Sequence, residues 1–371
     1  METKTIFTIP ADFKVDSIAK FSELNKKADV KLGETYGSIK SYEIGTGRKY
    51  SLLPDVNKQQ LKEYVKFCKE NNIDFNYTLN LSCAGNKEFT KEGVNELTKG
   101  INELVSMGIN NFTIALPGLI ELFNEKYPNV DVTLSVITGV DSIGKMKEFC
   151  KYKNIKVIYL HERIYRRMDL MKKLIEIAHK NGKKVGMIIN SFCLADCMYR
   201  QYHYDLAAHS TDQTSYLIPD YYRAKCALAK ITDKRTALMC PWVRPEDMQR
   251  YIDIGIDKFK VTGREMLKGG DMFKVFEVYN SRTYDGNLVD LFMCFDDCVH
   301  ANVIKIKNDK NLADYLDDVY TGKNVCNVNG CIDCMKCKKA LDSIEFDKEQ
   351  QKKWKGIFEK QISNFRKELN N

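Results

Sequence analysis

The feature that most constrains this chain is an alternation. Between residues 5 and 261 short apolar runs are each followed by a longer amphipathic stretch. Candidate strands are Thr5 to Ile9, Asp29 to Gly33, Phe75 to Leu79, Asn111 to Ala115, Val132 to Val136, Lys156 to Leu160, Lys184 to Asn190, Thr236 to Cys240 and Lys258 to Val261. Strands that feed helices one after another specify a parallel α/β fold. An eight-stranded barrel needs one run fewer, and Thr236 to Cys240 is set aside as a short accessory strand.

The helical stretches carry their own stop signals. Thr90 caps a stretch whose apolar positions Val94, Leu97, Ile101, Leu104 and Val105 recur at helical spacing, and Gly108 closes it. A second helix runs from about Met168 to Asn181-Gly182. The expected fold is a TIM-like (β/α) barrel over residues 1–285, with a Cys-rich insertion at 191–235. Residues 286–371 then form a Cys-rich C-terminal extension. It ends in an amphipathic helix with Trp354, Phe358, Ile362, Phe365 and Leu369 on one face, which is expected to dock on the body, with a partner helix as the alternative.

At 371 residues, 44% hydrophobic and 29% charged, the chain is not a disordered or collagen-like polymer. It has no long uninterrupted apolar run, and its start, METKTIFTIPADFKVDS, lacks the pattern of a signal peptide. A cytoplasmic location away from membranes is therefore expected. The net charge of +8 is spread along the chain and permits an anionic partner without demanding one. Thirteen cysteines in a reducing compartment point to metal ligation before disulfides.

Four of them, Cys326, Cys331, Cys334 and Cys337, form C-x4-C-x2-C-x2-C. Two-residue separations bring neighbouring sulfurs around one centre, either a 4Fe-4S cluster or a tetrahedral zinc that pins the tail. A more dispersed set is Cys193, Cys197, Cys226 and Cys240. The first two directly follow the Lys184 to Asn190 run, where a barrel opens its catalytic mouth. All four can converge on one 4Fe-4S cluster or remain ordinary buried thiols. Cys68 and Cys150 fall on helices among apolar neighbours, Cys83 has no evident partner, and Cys294 and Cys298 are reserve ligands.

Polar candidates cluster at strand ends. Glu162 can serve as a general base or bind an amine, while Arg163, Arg166 and Arg167 can hold a carboxylate or form surface ion pairs. His203 and His209 can carry protons, contact a sulfur or anion, or bridge backbone groups. Asn80 and Asn190 offer amide contacts to a substrate or cofactor, and Lys260 and Arg264 are placed to meet an anion. Arg244-Pro245-Glu246-Asp247 reads as a helix start. No complete phosphate-binding loop, H-E-x-x-H helix or G-x-S-x-G elbow occurs, and Cys193-x3-Cys197 lacks the third cysteine of the radical S-adenosylmethionine signature.

The stretch Asn190-Ser191-Phe192-Cys193-Leu194-Ala195-Asp196-Cys197-Met198-Tyr199-Arg200-Gln201-Tyr202-His203, ending in Ala208-His209-Ser210, resembles a segment of the collagenase-like U32 peptidases. Trp242-Val243-Arg244-Pro245-Glu246-Asp247-Met248 and Gly255 to Arg264 are similar to that family's Pro-led helix and lysine-containing strand with a Gly-Arg pair. The resemblance spans roughly residues 70 to 300, and some members carry a tail like Cys326 to Cys337. It implies a TIM-like barrel with a 4Fe-4S cluster on four cysteines, of which Cys193, Cys197 and Cys226 match in position. Relatives act in oxygen-independent hydroxylation, including ubiquinone synthesis and modification of transfer or ribosomal RNA.

The expected function is thus iron–sulfur-dependent redox or hydroxylation chemistry at the barrel mouth. Its substrate would be an anionic small molecule, a peptide or RNA, and a separate protein would donate electrons. The tail would add a second cluster or a zinc. The alternatives are a peptidase using the same mouth and an RNA-binding scaffold without turnover.

Overall fold

The structure is a computed structural model describing residues 5–40, 45–210, 221–262, 271–292, 302–323 and 335–370. Eight parallel strands close into a barrel in chain order: β1 Ile6–Pro10, β2 Lys31–Gly37, β3 Asp74–Leu79, β4 Asn111–Ile114, β5 Asp131–Leu134, β6 Ile155–Tyr159, β7 Lys184–Ile188 and β8 Lys258–Lys260. β8 returns to β1 with Ile6 opposite Lys258. Among the described residues six α-helices link the first seven strands: α1 Val15–Asn25, α2 Lys58–Glu70, α3 Lys91–Ser106, α4 Pro117–Lys126, α5 Ile143–Cys150 and α6 Met168–Lys180. The caps behave as their residues dictate. Gly93 N–H donates to Thr90 Oγ1 at 3.1 Å, and Gly108 ends α3 at φ +90°.

The Cys-rich excursion after β7 contains α7 Arg200–Ala208, α8 Tyr221–Thr232, α9 Lys234–Met239 and α10 Met248–Asp253. The expected accessory strand at Thr236 to Cys240 is corrected here, because residues up to Met239 belong to α9. Asp233 caps that helix by accepting from Arg235 N–H at 2.9 Å, its Lys, Arg, Ala, Leu and Met residues favour helix, and Pro241 stops it. The second strand also runs later than Asp29 to Gly33. Its continuation carries Glu34, an inward-facing acid that interrupts the apolar pattern.

Glu34 anchors a polar belt inside the amino-terminal half of the barrel. Lys258 Nζ and Asn111 Nδ2 donate to its Oε2 at 2.8 and 2.7 Å, and Thr8 donates to its Oε1 at 3.1 Å. Higher up, Gly186 on β7 makes room for Tyr159, whose ring lies 2.7 Å from where a Cβ would stand. The carboxyl-terminal end of the barrel is left as the mouth.

After β8 come α11 Met272–Ser281 and a small antiparallel pair, β9 Ile304–Ile306 with β10 Ile344–Phe346, enclosing α12 Lys310–Tyr320 and α13 Lys338–Asp342. The chain closes with α14 Lys348–Glu368. Phe358 and Ile362 bury one face of α14, Gln351 donates to Ile231 O at 2.6 Å, and Phe365 meets Tyr221 at 5.2 Å between ring centres. The tail helix thus lies against α8. Leu369, expected on the docking face, is exposed beyond the helix end. No helix among the described residues is long and apolar enough to cross a membrane.

A cysteine-lined mouth as candidate active site

The mouth is assembled from the ends of β6 and β7. Glu162, just past β6, is buried, accepting from Ser191 Oγ through Oε1 and from Arg200 Nη1 through Oε2. Arg200 also donates to Leu194 O. One carboxylate therefore ties together both flanks of the loop that carries Cys193 and Cys197. Its two oxygens are engaged in holding that loop.

Cys226 and Lys230 come from α8, an Ala-rich segment with high helix propensity, where four-residue spacing puts them on one face. Lys230 is 0% exposed. Its ammonium is within electrostatic reach of Cys226, Cys240 and Cys193, and lies 5.0 Å from the centre of the Phe192 ring. Cys226 in turn is within electrostatic reach of Cys193, Cys197 and Cys240. Burial pushes the Cys193 and Cys240 thiols up to about 12, with Lys230 pulling both down. Burial also raises Cys197, against which the Tyr199 N–H acts as a donor.

Cys240 is held by an arginine whose expected role was different. Arg166 donates to Leu238 O at 2.7 Å and Cys240 O at 2.9 Å while stacking on Trp242. It contacts backbone carbonyls where a substrate carboxylate or surface ion pair was expected. Trp242, Phe292 and Phe192 then stack in sequence beneath the cysteines. The other three thiols of the dispersed set thus lie within electrostatic reach of Cys226, with Cys240 Sγ donating to Thr236 O at 3.3 Å.

No three His, Cys, Asp or Glu side chains among the described residues stand close enough to hold a single metal ion. A cubane cluster distributes its ligands over four irons, so its thiolates stand farther apart than those around one ion. The donor set fits such a group. Four thiols lie within electrostatic reach of one buried ammonium, a place where a thiolate-held anion would be favoured.

The other candidates occupy distinct places. Lys260, at the end of β8, puts its ammonium 3.7 Å from the Tyr36 ring centre and 5.5 Å from that of Tyr159. Asn190 donates to Thr262 O at 2.6 Å and accepts from Thr262 N at 2.8 Å, tying β7 to β8. Asn80 accepts from Gly47 N at 3.1 Å and donates to Ser135 Oγ at 3.3 Å. His203 sits on α7 beside Tyr222, and His209 is exposed at the end of that helix. Arg264, Cys294, Cys298, Cys326, Cys331 and Cys334 lie outside the described residues, while Cys337 is half-buried just before α13.

Beside the cysteines lies a cleft of about 440 Å³, bordered by His161, Arg163, Asp141, Lys145 and Cys197. Sequence reasoning named Glu162 at this strand end and gave no role to His161 or Arg200. It also missed Lys230, whose only sequence signal is its spacing from Cys226.

A closed parallel (β/α) barrel with a cysteine-lined mouth defines the class. The model of peptidase family U32 matches residues 36–162. An uncharacterized protease of Methanocaldococcus jannaschii is 30% identical over 290 residues, covering 77% of this chain and 84% of that protein. The chain belongs to the U32 peptidase family. Among solved structures, a U32 peptidase aligns over 71% of this chain and 94% of its own, at 14% identity and a TM-score of 0.49. An HpcH/HpaI aldolase of Desulfitobacterium hafniense aligns over 71% and 88%, at 8% identity and a TM-score of 0.34.

Proposed function

We propose that this chain is an iron–sulfur-dependent enzyme whose barrel mouth carries a 4Fe-4S cluster on Cys193, Cys197, Cys226 and Cys240 and performs oxygen-independent redox or hydroxylation chemistry. The observation that carries this reading is the set of four thiols, Cys193, Cys197, Cys226 and Cys240, each within electrostatic reach of the buried Lys230. Thiolates bound to iron would place negative charge beside that ammonium, which burial in the protein interior favours.

When bound, the cluster would supply one-electron transfer or a Lewis-acidic iron. The protein's own groups have separate tasks. Glu162 and Arg200 hold the loop carrying two ligands, Arg166 fixes the backbone of a third, and the aromatic stack under the site keeps water from its inner face. The cleft alongside Cys197 offers the place for substrate. A second cluster or a zinc on Cys326, Cys331, Cys334 and Cys337, and an electron-donor protein, complete the proposal.

The test is anaerobic purification followed by iron and sulfide quantitation and electron paramagnetic resonance, on the full chain and on Cys226→Ala. Four irons lost from the variant support the reading. Iron-free protein that still digests peptides would replace it with hydrolysis, the activity named for the Methanocaldococcus relative.

A further inference from the structure

His161 ends the β6 region in a defined protonation state. Its Nδ1 accepts a hydrogen bond from Arg163 N–H at 3.2 Å, so the ring proton resides on Nε2. Nε2 has no hydrogen-bond partner among the described residues, and the residue borders the 440 Å³ cleft. Burial first, and then the Arg200 guanidinium, lower its basicity to about 4, so the ring is neutral near pH 7. Other charges lie around it: Arg163 also disfavours the imidazolium, while Glu162 and Asp141 favour it.

The charges along the cleft are already matched. Lys145 Nζ lies 3.0 Å from Asp141 and donates to Gly139 O at 2.7 Å. Arg163 stands between Asp141 and Asp196 at 3.6 and 3.5 Å, and Arg200 is taken by Glu162. An incoming phosphate would have to displace carboxylates from these cations. An uncharged acceptor would not. The cleft therefore presents the neutral Nε2–H of His161 in a charge-balanced wall, together with the side chains of Ile137, Met198, Thr138, Gln201 and Tyr204.

We propose that this cleft binds a small molecule or segment through an uncharged carbonyl oxygen, of amide or ketone type, which accepts a hydrogen bond from His161 Nε2–H. A neutral imidazole polarises a carbonyl without a proton being transferred, and it leaves no net charge behind when the ligand departs. This goes beyond the cluster reading, since none of the groups it uses is a metal ligand; either can fail while the other stands.

The test uses two probes on the full chain, N-methylacetamide for the carbonyl and inorganic phosphate for the anion, with His161→Phe and His161→Gln as variants. In crystals soaked with the amide, its oxygen is expected within hydrogen-bond distance of Nε2, with phosphate absent from the cleft. In solution, ligand-observed magnetic resonance should show affinity for the amide falling at least fivefold in His161→Phe. It should stay within about twofold in His161→Gln, which keeps an N–H donor. Phosphate seated on Arg163 and Lys145, equal amide affinity in His161→Phe, or no amide in the wild-type cleft would each overturn the proposal. If His161→Phe does not fold, the soaks of wild type and His161→Gln decide alone.

Discussion

Lys230 stands one helical turn beyond Cys226, within electrostatic reach of its thiol and sealed from solvent. A positive charge fixed beside an iron–sulfur group stabilises the reduced, more negative state. On the proposed reading, Lys230→Met therefore lowers the reduction potential, while Lys230→Arg holds it close to wild type. A redox titration followed by electron paramagnetic resonance reads the difference. Equal potentials in wild type and Lys230→Met, both with full iron content, would remove Lys230 from any electrostatic role.

The Glu162–Arg200 pair is expected to hold the cysteine loop whatever the loop binds. Side-chain exposures of 3% and 12% mean that removing one partner leaves the other charge buried. Arg200→Met should therefore cost about 3–5 kcal/mol in urea unfolding. Pairing it with Glu162→Gln should recover part of that loss. If the double variant is no more stable than the single one, the pair is not coupled and the clamp is wrongly drawn.

Acid stability should report on His161. The unfolded ring takes up a proton as pH falls through its ordinary value near 6.5, whereas the folded ring resists until about 4. Between these values the unfolded chain binds the extra proton. The contribution is therefore complete above pH 6.5 and is lost as pH falls toward 4. Urea unfolding of wild type and His161→Phe should differ by a constant amount above pH 7 and by a shrinking amount between pH 6.5 and 4. A gap that stays constant through that range would place His161 in solvent.

The barrel was legible because parallel strands buried on both faces write themselves as apolar runs, and eight of those marked in the sequence are strands. The ninth, Thr236 to Cys240, misled because a short apolar run reads equally as a buried helix turn. That Cys193, Cys197, Cys226 and Cys240 lie within electrostatic reach of one another through Cys226 was partly legible, since two of them follow a strand end. Lys230 was not: spacing from Cys226 acquires meaning only once burial is known. Nor was Arg166, whose carbonyl partners lie 72 and 74 residues away in sequence. Glu162 was visible as a charged group at a strand end, but whether its oxygens face substrate or Arg200 depends on how the loop folds back.

The tail helix supplies the last prediction, because α14 covers the helix that carries Cys226 and Lys230. Phe358 is 4% exposed, and Gln351 donates to the backbone of Ile231, next to Lys230. Phe358→Ala should leave a cavity worth about 3–5 kcal/mol. The loss should appear locally first, since Ala224, Ala227, Lys230 and Ile231 are the residues that α8 buries, most of them small. Hydrogen exchange is expected to quicken in α8 and α14 together while β1 to β8 keep their protection. Exchange that quickens in α14 alone would mean that the cysteine helix stands without its buttress, and that the tail contributes nothing to the geometry of the mouth.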